Sequence, residues 1–561
     1  MSKPILRISI FFLLMFALQT ISVVAQTKPQ ATGIKTNQGT SKITIPATIS
    51  AWLDTELSKA KRKKLLTKEQ FFTRESAKVV GYIKDFRPDL GFKTITVDAT
   101  NNSTRESRPI VAEIDSTGRF CCIIPMNHPQ KLTISFKKIF MTLYLEPGQV
   151  LALSFDWNDC EKTDGFHNIS NPADYILFKG PLAKINYELL SFQLKSLGYR
   201  HYYIKGTYNP QQYLAVIDTI FTDNNAIINQ ALKAGKISKQ AIDIQKNEAL
   251  LRNAFYLIDY AISKTDEGVQ IPPSFYNVLQ QLPLNDPTTT ISEVYSGFIN
   301  RFEFNPVLMK AYRNLGSINS TSELHQKIWS NRDSLLKSDL KLTSGFTYEE
   351  TKIRSLSNEI EKMGKNEAYA YFAKVSEGIK TPFLREEGLR ILKSNFGKAE
   401  IRSTDGKINL PLVSSSTESR WVPLSLPKSK DADIFSKLIA PYKGKYLFVD
   451  FWGTSCGPCR WGIEEKTKTR EKYKINDKFD FVFITSKMWS PDKKEYEKYV
   501  AEQGLVNSYF VSDDDYNYLM QLFRFNGVPH YVFVNPDGKI LDTDFEMFLG
   551  FEDARKWIQG N

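Results

Sequence analysis

The sequence predicts a multidomain chain: a small antiparallel β-sandwich, an α-helical middle region and a carboxy-terminal α/β unit. Three observations predict it. At 561 residues the chain exceeds what one hydrophobic core organises. Its apolar residues change period along the chain, from alternation to helical spacing and then to strands alternating with helices. In the last part a buried-type strand runs straight into a Cys-x-x-Cys pair.

Residues 1–25 carry Lys3 and Arg7, an apolar run from Ile8 to Leu18, and the small residues Val23, Val24 and Ala25. This is the pattern of a secretory signal peptide. The alternative is an uncleaved anchor, although the run is shorter than the ~20 residues a spanning helix needs. Export predicts a mature chain without a transmembrane span, in a compartment where disulfides form. Residues 26–75 are read as a leader and linker, rich at first in Thr, Lys, Gln and Ser without a period.

Residues 76–160 read as the β-sandwich. Ile95 and Val97 alternate with Thr94, Thr96 and Asp98, and Leu132, Ile134 and Phe136 alternate with Lys131, Thr133 and Ser135. Ser116-Thr117-Gly118 and Glu146-Pro147-Gly148 supply the turns. Residues 175–400 take helical spacing: Leu214, Ile217 and Phe221 share one face, as do Leu251, Phe255, Ile258 and Ile262, and Pro272, Pro273, Pro283 and Pro287 separate the helices. Residues 401–430 read as a linker and 431–561 as the α/β unit. In that unit Tyr446 to Phe451 is a buried strand, Pro458 to about Lys474 a helix, Phe479 to Thr485 a strand and Asp492 to Gln503 a helix. His530 to Val534 and Lys539 to Leu541 form a hairpin around Asn535-Pro536-Asp537-Gly538, and Phe551, Ala554 and Ile558 lie on a final helix.

With 42% hydrophobic and 24% charged residues the chain is neither disordered nor membrane-embedded. The net charge of +12 and the run from Lys59 to Lys64 raise nucleic-acid binding. Charges of both signs are interspersed elsewhere, and export removes most nucleic acid from reach. A solvated basic helix is the better reading, with no nucleic-acid partner. Of the five cysteines, Cys121, Cys122, Cys160, Cys456 and Cys459, the last two alone have a spacing with chemical meaning. No second cysteine pair or histidine cluster completes a zinc site, so neither a metal nor a cofactor beyond the dithiol is expected.

A Cys-x-x-Cys pair where a strand enters a helix is a redox device for geometric reasons. The first sulfur sits at the helix amino terminus, where free N–H groups and the helix dipole favour a thiolate. The thiolate is the attacking species, and two intervening residues put the second sulfur in reach to resolve the mixed disulfide. Leu447-Phe448-Val449-Asp450-Phe451 leads into Cys456-Gly457-Pro458-Cys459, and Pro458 stands where a first-turn proline is tolerated. Cys456 is thus the expected nucleophile and Cys459 the resolving thiol.

The segment Val449 to Arg460 resembles the active site of thioredoxins, and Tyr442-Lys443-Gly444-Lys445 before it resembles the TlpA/ResA branch of envelope thiol-disulfide oxidoreductases. About seventy residues on, Gly527-Val528-Pro529 is similar to that family's cis-proline loop. The resemblance covers roughly residues 430–561 and implies a thioredoxin-like fold. It also implies protein thiol and disulfide substrates, a membrane-bound electron donor, and a place in the periplasm or envelope of a Gram-negative bacterium. It implies a cis Pro529 and substrate contact through Val528 and Pro529. Asp450 matches the buried acid that takes the proton of the resolving thiol; a strand-end acid that is merely hydrogen-bonded is the alternative. Trp452 packs beside the sulfurs or is plain core. Gly457-Pro458 is the thioredoxin dipeptide and tilts the expectation toward reduction or isomerisation rather than oxidation.

Two residues depart from the pattern. Ser455 replaces a common tryptophan, and Gly462 stands where ResA-like proteins carry a glutamate, so that acid's role is not transferred to Glu464 or Glu465. More loosely, Val80-Gly81-Tyr82-Ile83 through Leu145-Glu146-Pro147-Gly148-Gln149 resembles the small β domain ahead of thioredoxin modules in some Gram-negative envelope proteins. Adjacent Cys121 and Cys122 point to opposite faces of a strand and should not bond each other; a link from one of them to Cys160 is the lesser alternative.

Two other functions compete. A thiol peroxidase of the peroxiredoxin type shares the fold but needs a threonine where Gly453 stands. An envelope binding or scaffold protein with an accessory thioredoxin module is the other.

Overall fold

The structure is a computed structural model. It describes residues 43–560 apart from 63–65, 68–69, 108, 138, 164–171, 193, 199, 314, 316–320, 361–362, 397–401, 405–406, 410–420, 422 and 474–475. The signal segment and half of the linker read at 401–430 lie outside the described residues. The chain is multidomain, with β-sheets first, helices in the middle and an α/β unit last.

The first unit stacks two four-stranded sheets over one core. One sheet runs in the order β4 (Arg119–Met126), β1 (Glu75–Lys84), β7 (Val150–Asp156), β8 (Ile176–Lys179). The other runs β3 (Pro109–Glu113), β2 (Thr94–Asp98), β5 (Gln130–Phe136), β6 (Ile139–Leu145). Alternation decides which side chains go inward: Val79, Ile83, Cys122, Ile124, Leu151 and Leu153 meet Ile95, Val97, Leu132 and Ile134 in a single core. One expectation needs correction. The sandwich is mixed rather than antiparallel, because β1 and β7 pair in parallel. The whole second sheet lies between them in the chain, and a long crossover is what parallel neighbours require.

Two further differences concern the segment before β1. Helix α1 (Ala47–Ser58) lies within the stretch read as leader, and its Ile49 and Leu53 pack on Val80, Tyr82 and Val150 of the first sheet. The described part of the basic run, Lys59 to Arg62, is not a helix either. It follows α1, where cations suit a helix carboxy terminus, and Arg62 pairs with Glu75 at 3.1 Å.

The helical region includes α2 (Pro210–Ala234), α3 (Lys239–Asp266), α4 (Tyr295–Glu303), α5 (Phe346–Glu359) and α6 (Pro382–Phe396). Ile217, Leu251 and Ile258 are buried in its core as their spacing predicts, with Leu214, Phe255 and Ile262 packed against it. The connection between β2 and β3 enters this region. Asn101 donates to Glu387 at 2.8 Å, Ser103 to Glu350 at 2.6 Å and Arg105 to Glu303 at 2.6 Å. Arg354 also reaches Glu303, at 2.9 Å. Burial raises the Glu350 carboxyl, whereas the Arg105 and Arg354 guanidinium groups hold Glu303 low against the cost of its burial.

The last unit is a five-stranded sheet in the order β11 (Ser508–Val511), β10 (Phe479–Ser486), β9 (Tyr446–Phe451), β12 (His530–Val534), β13 (Ile540–Asp542). β9 pairs in parallel with β10 and antiparallel with β12. The expected first helix is shorter than read: α8 (Gly457–Glu465), following α7 (Lys430–Ile439), ends at Lys466, and Thr467–Lys472 forms a separate turn of helix. Then come α9 (Lys493–Glu502), α10 (Asp513–Phe523) and α11 (Met547–Gly560). The sequence reading passed over β11 and α10, although Ser512 ahead of Asp513, Asp514 and Asp515 is an amino-cap followed by an acidic first turn.

Glu303 neutralises two guanidinium groups in the interior, so Glu303→Ala should cost the chain about 3–5 kcal/mol. The check is denaturant unfolding of the full chain: the midpoint of the transition that carries the helical region falls, and an unshifted midpoint contradicts the pairing.

Candidate functional site

Strand β9 is buried on both faces, and its alternation divides the domain core. Leu447, Val449 and Phe451 pack with Phe435 of α7 and Leu519 of α10. Phe448, on the other face, stacks on Phe533 with ring centres 4.9 Å apart and packs against Phe551 of α11. Asp450 follows Phe448 on that second face. Its cross-strand neighbours are Phe483 and Tyr531, and Phe483 packs in one cluster with Trp452, Cys456, Cys459 and Tyr499. The acid therefore lies in the layer that supports the two cysteines.

The chain leaves β9 through Trp452 and Gly453 and enters α8 at Cys456. Gly453 is there because of a close approach: a Cβ would stand 2.3 Å from the Trp489 carbonyl oxygen. That carbonyl accepts from the Ser455 amide at 3.2 Å and from the Ser455 hydroxyl at 2.7 Å, which ties the turn before Cys456 to the loop after β10. Cys456 is the amino-cap of α8, and the Cys459 amide donates to its Sγ at 3.1 Å. Pro458 sits in the first turn, where no amide is missed.

Cys456 and Cys459 form a disulfide with Cα atoms 5.3 Å apart. Cys456 retains 5% exposure and Cys459 none. Cys456 Sγ lies 3.5 Å from the Val528 carbonyl oxygen, and the Val528–Pro529 peptide is cis. Val528 and Pro529 are half-buried, and the Gly457 position faces open space. Trp452 is fully buried against Tyr496 and Tyr499, with ring centres 5.9 and 5.5 Å away. Of the residues singled out from the sequence, Trp452, Cys456 and Cys459 share one cluster with Val528 packed against it, Gly457 and Pro458 lie between the two cysteines, Pro529 follows Val528, and Asp450 pairs across the strands with Phe483 of the same cluster.

Burial pushes the Asp450 carboxyl up to about 8, only partly offset by the positive charge of Arg470. Among the described residues Asp450 makes no ion pair, and its Oδ1 is buried without a hydrogen-bond partner. Gly462 has a steric reason too. A Cβ would meet the Phe548 ring at 2.9 Å and the Tyr531 hydroxyl at 3.2 Å, so a glutamate there would displace both. Glu464 is engaged elsewhere, accepting from the Tyr499 hydroxyl at 3.2 Å.

The other three cysteines stand apart. Cys121 is exposed, and Cys122 and Cys160 are buried; none of the three is in a disulfide, so the Cys160 link is not formed. Burial pushes the Cys122 thiol up to about 12, which makes it inert as a nucleophile. Sequence reasoning missed Asn526, two residues before Val528, which reaches into the β-sandwich. Nothing local marks it, because its partners lie more than 400 residues away in the chain.

Asp450 makes stability depend on pH. Unfolded, the carboxyl loses its proton near 3.8; folded, it keeps it to about 8. Between these values the folded state holds the extra proton, so stability falls as pH rises through the window and levels off above it. Asp450→Asn should match the wild type near pH 4 and exceed it by about 2–5 kcal/mol at pH 8. Urea unfolding of the oxidised chain across that range is the check, and a constant difference between the two proteins contradicts the burial.

Residues 444–540 match the family model described as thioredoxin-like. The thioredoxin domain of a thiol-disulfide oxidoreductase from Bacteroides vulgatus is 24% identical over 21% of this chain and 84% of its own, with a TM-score of 0.19. A thiol:disulfide interchange protein from a Bacteroides species is 24% identical over 21% of this chain and 76% of its own, also with a TM-score of 0.19. No curated protein matches the chain. Residues 444–540 are a thioredoxin-like domain, with Cys456 and Cys459 as its disulfide-bonded pair.

Proposed function

We propose that the chain exchanges disulfides with protein substrates, reducing or isomerising them, in the periplasm or envelope of a Gram-negative bacterium. The observation that carries this reading is the division of labour between the sulfurs: Cys456 reaches solvent at a helix amino terminus, and Cys459 lies sealed beneath it. In the reduced enzyme the Cys456 thiolate is stabilised by the Cys459 amide and by the helix dipole. It attacks a substrate disulfide. One Cys456–substrate sulfur bond forms, the substrate S–S bond breaks, and one substrate sulfur leaves as thiolate. Cys459 then loses its proton and attacks Cys456 Sγ, closing the Cys456–Cys459 bond and releasing the second substrate thiolate. Two electrons pass to the substrate, and an external dithiol donor, membrane-bound in this reading, restores the enzyme.

Asp450 is the group in this layer that can take the Cys459 proton. Its carboxyl, held up to about 8, ionises just where such a base must accept a proton from a thiol. Trp452 seals the layer, and Val528 and Pro529 form the edge along which a substrate chain approaches Cys456. Gly457-Pro458 supports the reductive direction. A peroxidase is disfavoured by Gly453, since the Trp489 backbone occupies the room a threonine side chain needs.

Insulin reduction tests the reading. Cys456→Ser should abolish the activity, and Cys459→Ser should accumulate a substrate-linked mixed disulfide that a non-reducing gel displays. In the wild type the rate of resolving that intermediate should rise with pH up to about 8, and Asp450→Asn should remove this inflection. Equal activity in the wild type and Cys456→Ser overturns the assignment.

A further inference from the structure

The substrate edge of the site is held from outside its own domain. The loop 525–529 brings the Val528 carbonyl oxygen to 3.5 Å from Cys456 Sγ, so a chain that reaches this sulfur must pass along the loop. On its far side Asn526 leaves the thioredoxin-like domain. Its Nδ2 donates to Asp98 Oδ2 at 2.5 Å and to Thr100 Oγ1 at 3.3 Å. Thr100 Oγ1 in turn donates to Asp98 Oδ1 at 2.7 Å, so both carboxylate oxygens are engaged and the acceptor is fixed in direction.

Asp98 is fixed more widely than this triad. It is the last residue of β2, and the connection that follows is anchored in the helical region through Asn101, Ser103 and Arg105 on buried Glu387, Glu350 and Glu303. The same face of the sandwich holds α10, the helix that leads into the loop. Asp514 accepts from the Lys93 amide at 3.0 Å and from the Thr94 hydroxyl at 2.5 Å. Gln521 accepts from the Val111 amide at 2.8 Å, satisfying an N–H on edge strand β3. Tyr518 and Lys430 both reach Glu113. Both ends of the path to Val528 are thus tied to β2 and β3.

We propose that Asp98 and Thr100 are positioning residues for disulfide exchange: through Asn526 they hold the loop 525–529 at the distance from Cys456 that an extended, disulfide-bearing peptide needs. The β-sandwich is then part of the binding machinery, and the helical region braces it. This rests on the exchange activity proposed above, and it adds where the affinity for substrate is set. A lost charged hydrogen bond frees the loop without touching either sulfur or Asp450, so binding suffers and chemistry does not.

The test uses the full chain. Asp98→Ala should raise the KM for insulin about five- to tenfold, leaving kcat and the Cys456–Cys459 reduction potential unchanged. Asp98→Asn, which keeps an acceptor for Asn526 and offers Thr100 Oγ1 an N–H in place of the carboxylate oxygen to which it donates, should restore the wild-type KM. Asp98→Ala combined with Asn526→Ala should add nothing to either single change. Hydrogen exchange of the Asn526, Gly527 and Val528 amides supplies a readout independent of activity and should accelerate in Asp98→Ala. An unchanged KM with unchanged exchange overturns the proposal, as does a potential that shifts together with kcat. A wild type without insulin-reducing activity overturns the proposed function instead, and the exchange rates then decide the positioning role alone. Should Asp98→Ala not fold, Thr100→Val must show the same effects in smaller measure, and its failure to do so is equally decisive.

Discussion

Burial of strand β9 on both faces is the constraint on which the rest of the site depends. Apolar side chains alternate to the two sides and pack against helices there, so the strand cannot shift by one residue without exposing one core and overfilling the other. A strand so held ends at a defined point. That point makes Cys456 the amino-cap of α8, with the Cys459 amide aimed at its sulfur. The same constraint puts Asp450 in apolar surroundings, since the one polar residue within β9 must face one of the two cores. Its high pKa is a consequence of where the strand lies rather than of a specific partner.

The cost of that acid is local, whereas charges in the front of the molecule are buried in pairs. Glu303 meets Arg105 and Arg354, and Glu248 meets Lys131 and Arg252; in each case guanidinium or ammonium groups hold the carboxylate in its charged form despite burial. Arg105 thereby ties the β2–β3 connection to the helical region, and Lys131 ties β5 to α3. The contrast is physical. A carboxylate with partners braces a structure, and one without partners stores a proton that chemistry can use.

The redox pair and the elements around it were legible because each is specified locally. β9 was read at its observed limits, and the hairpin around Asn535 to Gly538 follows from turn chemistry within a few residues. Asp450, Trp452, Val528 and Pro529 stand out in the sequence through resemblance to a motif whose spacing persists. What was misread depended on distant neighbours. The parallel pairing of β1 with β7 requires knowing that the second sheet folds out between them. Helix α1 looked like leader because its apolar residues are few, and the first sheet supplies the surface that makes them sufficient. Helix α10 carried an amino-cap signal that went unused among its many polar residues.

The sequence by itself determined that two cysteines stand at a strand-to-helix junction in an α/β domain, behind a β-rich and a helical region. Those features rest on period, capping and short spacing, which act over a few residues. Only the tertiary structure decided that Asp450 Oδ1 is buried without a hydrogen-bond partner, that Gly462 has no room for an acid, and that Asn526 is held by Asp98 and Thr100. Each of those depends on groups brought together from separate parts of the chain, and the strength of a buried charge or hydrogen bond is set by the surroundings that packing assembles.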